Sequence, residues 1–180
     1  SGTAVILTDS LQKQKWEQLA GGTYTIESDF HTELVEHLLA EIQLQTVTNL
    51  ESAVSWLSST FLYVRLLRNP GLYRSTVVLS PGETMDKALE GLLIAHVQDL
   101  RRIGVLDSNT TAWKLTPVGT TMARHYLRIG TMRLFSSCLQ SESTPSVEDL
   151  LRLLAQAAEF SEFRPKQGEK TKLRTAGEKL

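Results

Sequence analysis

Apolar residues recur at helical spacing along most of the chain, broken by short clusters of turn-forming residues. Between Glu27 and Glu41 the repeat Phe30, Leu34, Leu38, running on to Ile42, predicts one amphipathic helix. A second runs from about Leu50 to Leu67, with a break near Ser58-Ser59 and a stop before Pro70. Thr48 and Glu51 have capping-box spacing at its start. Ser80-Pro81-Gly82-Glu83 combines a capping serine, a proline at the first helical position and a glutamate at the third. The helix it opens runs to Arg102 or Ile103, with Gly104 as its stop and Met85, Leu89, Leu92, Leu93 and Leu100 on its inner face. Thr116-Pro117 opens another helix to about Ile129, and Thr144-Pro145 one through Phe160.

Strand patterns are few and short. Val105-Leu106 and Ala112 to Leu115 flank the turn-rich Asp107-Ser108-Asn109, which predicts a small β wing. Thr46 to Thr48 reads as another short strand. Ala4 to Thr8 reads as a buried strand, and Ser10 to Ala20 as a helix stopped by Gly21-Gly22. One strand and one helix cannot bury themselves, so this N-terminal pair is expected to dock in an improvised way or to pair with a second copy. Helices, two short strands and a further helix give a mainly α chain, a winged helix-turn-helix with a small β wing. From 162 onward the sequence is polar, with Lys166, Lys170, Lys172, Arg174 and Lys179 expected to be solvated and mobile.

Composition narrows the chemistry. At 180 residues, 41% hydrophobic and 22% charged, the chain is ordinary for a globular protein. A net charge of -1 makes nucleic-acid binding a matter of a local patch. The single cysteine, Cys138, excludes an intrachain disulfide and reads as a buried, inert thiol. No glycine-rich phosphate loop ending in Gly-Lys-Ser/Thr occurs, and no Asp-Glu pair in a magnesium-holding motif. No ATPase activity is therefore expected of this stretch, with no cofactor or metal of its own. His31, His37, His96 and His125 are scattered and read as structural or surface groups.

The candidate contacts are basic. Arg65 and Arg68 lie three apart on one helix, Arg101 and Arg102 end the long helix, Lys114 lies in the wing, and Arg124 and Arg128 sit four apart. Each suits a phosphate contact, an interdomain contact or a solvated ion pair. Phe61, Tyr63, Tyr73 and Tyr126 suit either base stacking or the core, and the core is the expectation.

Four strings carry a family resemblance. STFLYVRLLRNPGLY, Ser59 to Tyr73, resembles a signature "TFLYVR…NPxxY" of the Ski-like superfamily-2 helicases. ESDFHTELVEHLLAEI, Glu27 to Ile42, and KLTPVGTTMARHYL, Lys114 to Leu127, resemble two further segments of that winged helix. LLRLLAQAAEFSEFRPKQGE, Leu150 to Glu169, resembles the start of the helical ratchet domain. Within that family the Mer-type meiotic ATP-dependent DNA helicases are the most similar branch.

The resemblance implies a division: 1–26 as the end of the second motor domain, 27–130 as the winged helix, 131–161 as the start of the ratchet, and 162–180 as a basic tail. It implies an accessory role, orienting motor and ratchet domains on a strand in nuclear meiotic recombination. DNA, single-stranded or branched, would be bound weakly, and ATP and magnesium would be held elsewhere in a longer polypeptide. Two alternatives stay open: the same segment of an RNA-remodelling helicase, and a free-standing winged-helix module that binds DNA or protein. The orphan N-terminal pair and the non-basic charge disfavour the second.

Overall fold

A computed structural model of the chain describes residues 2–139, 144–161, 163, 164, 166 and 168–177. Its helices are α1 (Lys13–Ala20), α2 (Leu34–Gln43), α3 (Leu50–Ser58), α4 (Phe61–Arg68), α5 (Met85–Arg102), α6 (Pro117–His125), α7 (Ile129–Leu139), α8 (Val147–Ala155) and α9 (Glu169–Gly177). The α3–α4 pair, the long α5 and a minimal hairpin after it form a winged helix-turn-helix packed on α2 and α6. One contiguous core joins these elements, with Leu38, Leu57, Leu62, Leu89, Leu93, Leu100 and Met122 all 1% exposed or less.

The wing is a single antiparallel bridge, Leu106 to Leu115, not two strands. Asp107 N donates to Lys114 O at 3.0 Å, and Thr116 N donates to Val105 O at 3.0 Å. The Thr46–Thr48 stretch joins it by one bond, Trp113 N to Thr48 O at 2.9 Å. Arg101 pins the tip by donating from Nη2 to the Thr110 carbonyl at 3.1 Å.

Several expected boundaries move, each for a local reason. The helix expected from Glu27 starts as a 3-10 turn at Phe30–Glu33 and becomes α-helical at Leu34, because Glu27 and Ser28 are held by side chains elsewhere. The cap of α3 is Asn49, whose side chain accepts from Ser52 N while the Ser52 hydroxyl accepts from Asn49 N; Thr48 and Glu51 do not form it. Ser80 to Glu83 is a turn, not a helix start. Gly82 sits at φ +81°, where an α-helix cannot pass, and Pro81-Gly82 suits the two central positions of a tight turn. Thr84 caps α5 instead. α6 stops at His125, short of Ile129, because Tyr126 turns left-handed at φ +53°. α7 was not expected from the pattern; its only apolar signal follows directly on α6. The last expected helix is shorter, from Val147, with a 3-10 turn at Ala158–Phe160.

The N-terminal segment corrects an expectation most plainly. Residues 4–8 take no regular secondary structure and are exposed, with Val5 76% and Leu7 93% accessible, so they form no buried strand. α1 buries no residue. The polar stretch after 162 carries α9, whose described lysines and arginine are exposed; Lys179 lies outside the described residues.

Two helix ends share one device. At α5 the Val105 amide reaches back to Leu100 O (2.9 Å) and the Gly104 amide to Arg101 O (3.0 Å), with Gly104 at φ +76°. At α2 the Thr46 amide bonds Glu41 O (3.1 Å) and the Gln45 amide Ile42 O (3.1 Å), with Gln45 at φ +61°. Against the first of these ends lies the start of α6. The Thr116 hydroxyl donates to Gly104 O at 2.6 Å and accepts from Gly119 N at 3.1 Å. A Cβ on Gly119 would fall 2.2 Å from Val105 O, which is why the Thr-Pro-Val-Gly string needs its glycine.

Candidate functional site

Two of the four strings that carried the resemblance, those at 27–42 and 59–73, meet in space around one carboxylate. Glu27 accepts from Arg65 Nε at 2.9 Å and Nη2 at 2.7 Å, from Asn69 Nδ2 at 2.9 Å and from the Tyr73 hydroxyl at 2.9 Å. The Tyr73 oxygen in turn accepts from Ser28 N at 2.8 Å. Local chemistry delivers each partner. Thr60 caps α4, which sets Arg65 on the inward face with Leu62 and Leu66. Asn69 ends the helix, and the turn through Pro70 swings Tyr73 into the core, where it is fully buried. His31 packs edge-on against Tyr73, ring centres 5.1 Å apart.

Hydrogen bonds from Arg65, then Asn69, hold the Glu27 carboxyl well below its ordinary range, at about 2. Burial, offset in part by the Ser28 amide, raises the Tyr73 phenol. The Glu27 carboxylate is saturated with donors and the Arg65 side chain is only 10% exposed. The cluster is a latch across the winged helix; it offers no free acid, base or cation to a ligand.

A second set of carboxylates fastens α7. Glu36 of α2 accepts from Ile129 N at 2.8 Å, and Glu159 accepts from Arg128 N at 2.8 Å and from the Thr131 hydroxyl. These satisfy amides at the helix start that have no intrahelical partner. Asp99 of α5 pairs with Arg102 and with Arg133 of α7. Burial would raise the Asp99 pKa, but the bonds from Arg133 and Arg102 outweigh it and the net shift is downward. Beside it, burial lowers the pKa of half-buried His96. His37 stacks on Phe30 at 4.4 Å, and His125 is exposed.

The candidate cations therefore divide. Arg65 is spent on Glu27, Arg101 holds the wing, and Arg128 lies 4.0 Å from Glu33. Arg102 is exposed while paired with Asp99. Arg68, Lys114 and Arg124 are exposed on α4, the wing and α6. The aromatics divide too. Tyr73 is core, and Tyr63 is half-buried with its hydroxyl donating to Asp86 at 3.0 Å. Phe61 and Tyr126, expected in the core, are 52% and 88% exposed. Cys138 is half-buried in an apolar groove with Phe135, Leu150 and Leu154, not sealed in the core. The feature missed in the sequence was Glu27. Its signal was present: an arginine inside the apolar run FLYVRLL needs a buried partner.

Between the end of α2, the wing and α6 lies an open groove of about 560 Å³, lined by Ile42, Gln43, Gln45, Thr48, Lys114 and Thr120 among others. None of the nine described residues that line it is acidic.

Residues 27–109 match a winged helix-turn-helix domain family, and residues 115–180 match the Sec63 Brl domain family. The chain is 36% identical over 170 residues to the ATP-dependent DNA helicase MER3 of Saccharomyces cerevisiae, covering 94% of this chain and 14% of that protein. It is 32% identical over 176 residues to the probable ATP-dependent DNA helicase HFM1 of Homo sapiens (97% and 12%). It is 31% identical over 182 residues to the U5 small nuclear ribonucleoprotein 200 kDa helicase of Drosophila melanogaster (99% and 8%). It spans no more than 14% of the length of these relatives. With a winged helix followed directly by a Sec63-type segment, and helicases matched along nearly its whole length, the chain belongs to the winged-helix region of the Ski-like superfamily-2 helicases.

Proposed function

We infer that this region is the accessory winged helix of an ATP-dependent DNA helicase. It holds the motor and ratchet domains of one polypeptide in register on a DNA strand, and the longer protein acts in the nucleus in meiotic crossover recombination. The observation that carries this reading is the 36% identity to a protein named as a DNA helicase, over 94% of this chain and so over both the winged helix and the Sec63-type segment. ATP and magnesium belong to motor domains outside these residues. Within them, the latch at Glu27 sets the shape, and the exposed cations Arg68, Arg102, Lys114 and Arg124 supply weak, sequence-independent phosphate contacts. The tip of the wing, Asp107-Ser108-Asn109, carries no cation, which argues against a free-standing duplex binder.

A second reading keeps the architecture and changes the substrate to RNA, favoured by the identity to a ribonucleoprotein helicase. One experiment separates the readings. A polypeptide carrying this region behind its motor domains should hydrolyse ATP with magnesium and unwind DNA, whereas the 180-residue chain alone should not hydrolyse ATP. Stimulation by RNA and not DNA would select the RNA reading, and no hydrolysis by the longer polypeptide would overturn both.

A further inference from the structure

Tyr126 occupies an unusual position for its type. It sits just past the end of α6, left-handed at φ +53°, where glycine or asparagine is the ordinary residue. Its ring makes no use of the core, being 88% exposed. A bulky side chain in a strained backbone, held out in water, stabilises nothing in the fold.

Its surroundings are specific. Thr120 lines the open groove, and Arg124 lies one helical turn further along the same face of α6, exposed. Across the groove stand the amides Gln43 and Gln45, and Lys114 projects from the wing. From Thr120 to Tyr126 is six residues, about 9 Å at 1.5 Å per helical residue. That spans about three stacked bases at 3.4 Å each. The walls mix these polar groups with Ile42, Trp113 and Leu115 and carry no carboxylate among the described residues. Such walls, two cations and an aromatic face beyond them are the elements of a single-strand site. The acidic Glu33 pairs with Arg128 and holds it apart from this row.

We propose that the groove between α2, the wing and α6 is a single-stranded nucleic-acid track, with Lys114 and Arg124 on phosphates and Tyr126 as the base-stacking platform at its end. The track rests on the nucleic-acid reading above and adds a place to it: the strand runs over α6, not along the long helix α5.

The test titrates the 180-residue chain into labelled oligothymidylate of about ten nucleotides, within the usual site size of a stacking platform. Tyr126→Gly relieves the left-handed strain and removes the ring. It should raise the melting temperature and weaken binding about five-fold or more, while Tyr126→Phe keeps both properties. Lys114→Ala with Arg124→Ala should lower the slope of log affinity against log salt by about 1.4, two phosphate contacts at about 0.7 each. Unaltered binding by Tyr126→Gly, a lowered melting temperature, or an unchanged salt slope would each overturn the track. If the variants bind as the parent chain does, the track fails while the nucleic-acid reading stands. If the parent chain itself binds neither oligothymidylate nor oligouridylate, both fall.

Discussion

The Arg65 guanidinium grips the Glu27 carboxylate through two parallel bonds of 2.9 and 2.7 Å, across 38 residues of sequence. Paired, planar bonds of this kind fix direction as well as distance. They tie the segment before α2 to the inward face of α4 and leave both groups largely withdrawn from water.

This pair makes stability depend on acid. The folded Glu27 pKa is about 2 against an ordinary 4.5, so the folded state gives up its proton more readily than the unfolded chain. The stabilisation is complete above the unfolded pKa and is lost as pH falls from there toward the folded value. Melting temperatures of the parent chain and Glu27→Gln should differ at neutral pH and converge as pH approaches 2. Parallel curves across that window would contradict the geometry.

Neighbours on α4 should behave oppositely. Leu62 is 1% exposed and Phe61 52%. Leu62→Ala should cost about 2–5 kcal/mol by urea denaturation. Phe61→Ala should change stability by no more than about 0.5 kcal/mol.

Gly119→Ala places a Cβ 2.2 Å from the Val105 carbonyl oxygen. Backbone crowds backbone there, so no flexible side chain can yield. The loss should be about 1–3 kcal/mol, read as a lower urea midpoint. A variant as stable as the parent would mean that α6 does not lie against the end of α5.

Gln45 offers a gain. It is left-handed at φ +61° at the end of α2, a conformation that a Cβ disfavours. Gln45→Gly should stabilise the chain by about 0.5–1 kcal/mol, visible as a higher midpoint.

The architecture was legible in the sequence where a device is local. Pro117 after the capping Thr116, Gly104 after α5, and the Asp107-Ser108-Asn109 turn all act within a few residues, and the structure keeps them. Ser80-Pro81-Gly82-Glu83 misled because the same residues that start a helix also build a tight turn, and only the backbone angle of Gly82 decides between them. Tyr126 misled for a related reason: helical spacing continues through it, and nothing in the string shows that the chain turns left-handed there. The latch was half legible. Both of its strings stood out, but spacing along a chain does not say that Glu27 and Arg65 meet.

The fastening of α7 bears on how the molecule melts. The two matched families meet between 109 and 115, yet the bonds cross that line: Glu36 to the Ile129 amide, Asp99 to Arg133, and Leu106 to Leu115 in the wing. A seam in ancestry is thus not a seam in cooperativity. Separating the two halves would take the Ile129 amide from Glu36, leave Asp99 with Arg102 alone and leave the wing with one side. Amide protons of α5 and α7 should then exchange with solvent through a shared opening, as parts of one folding unit.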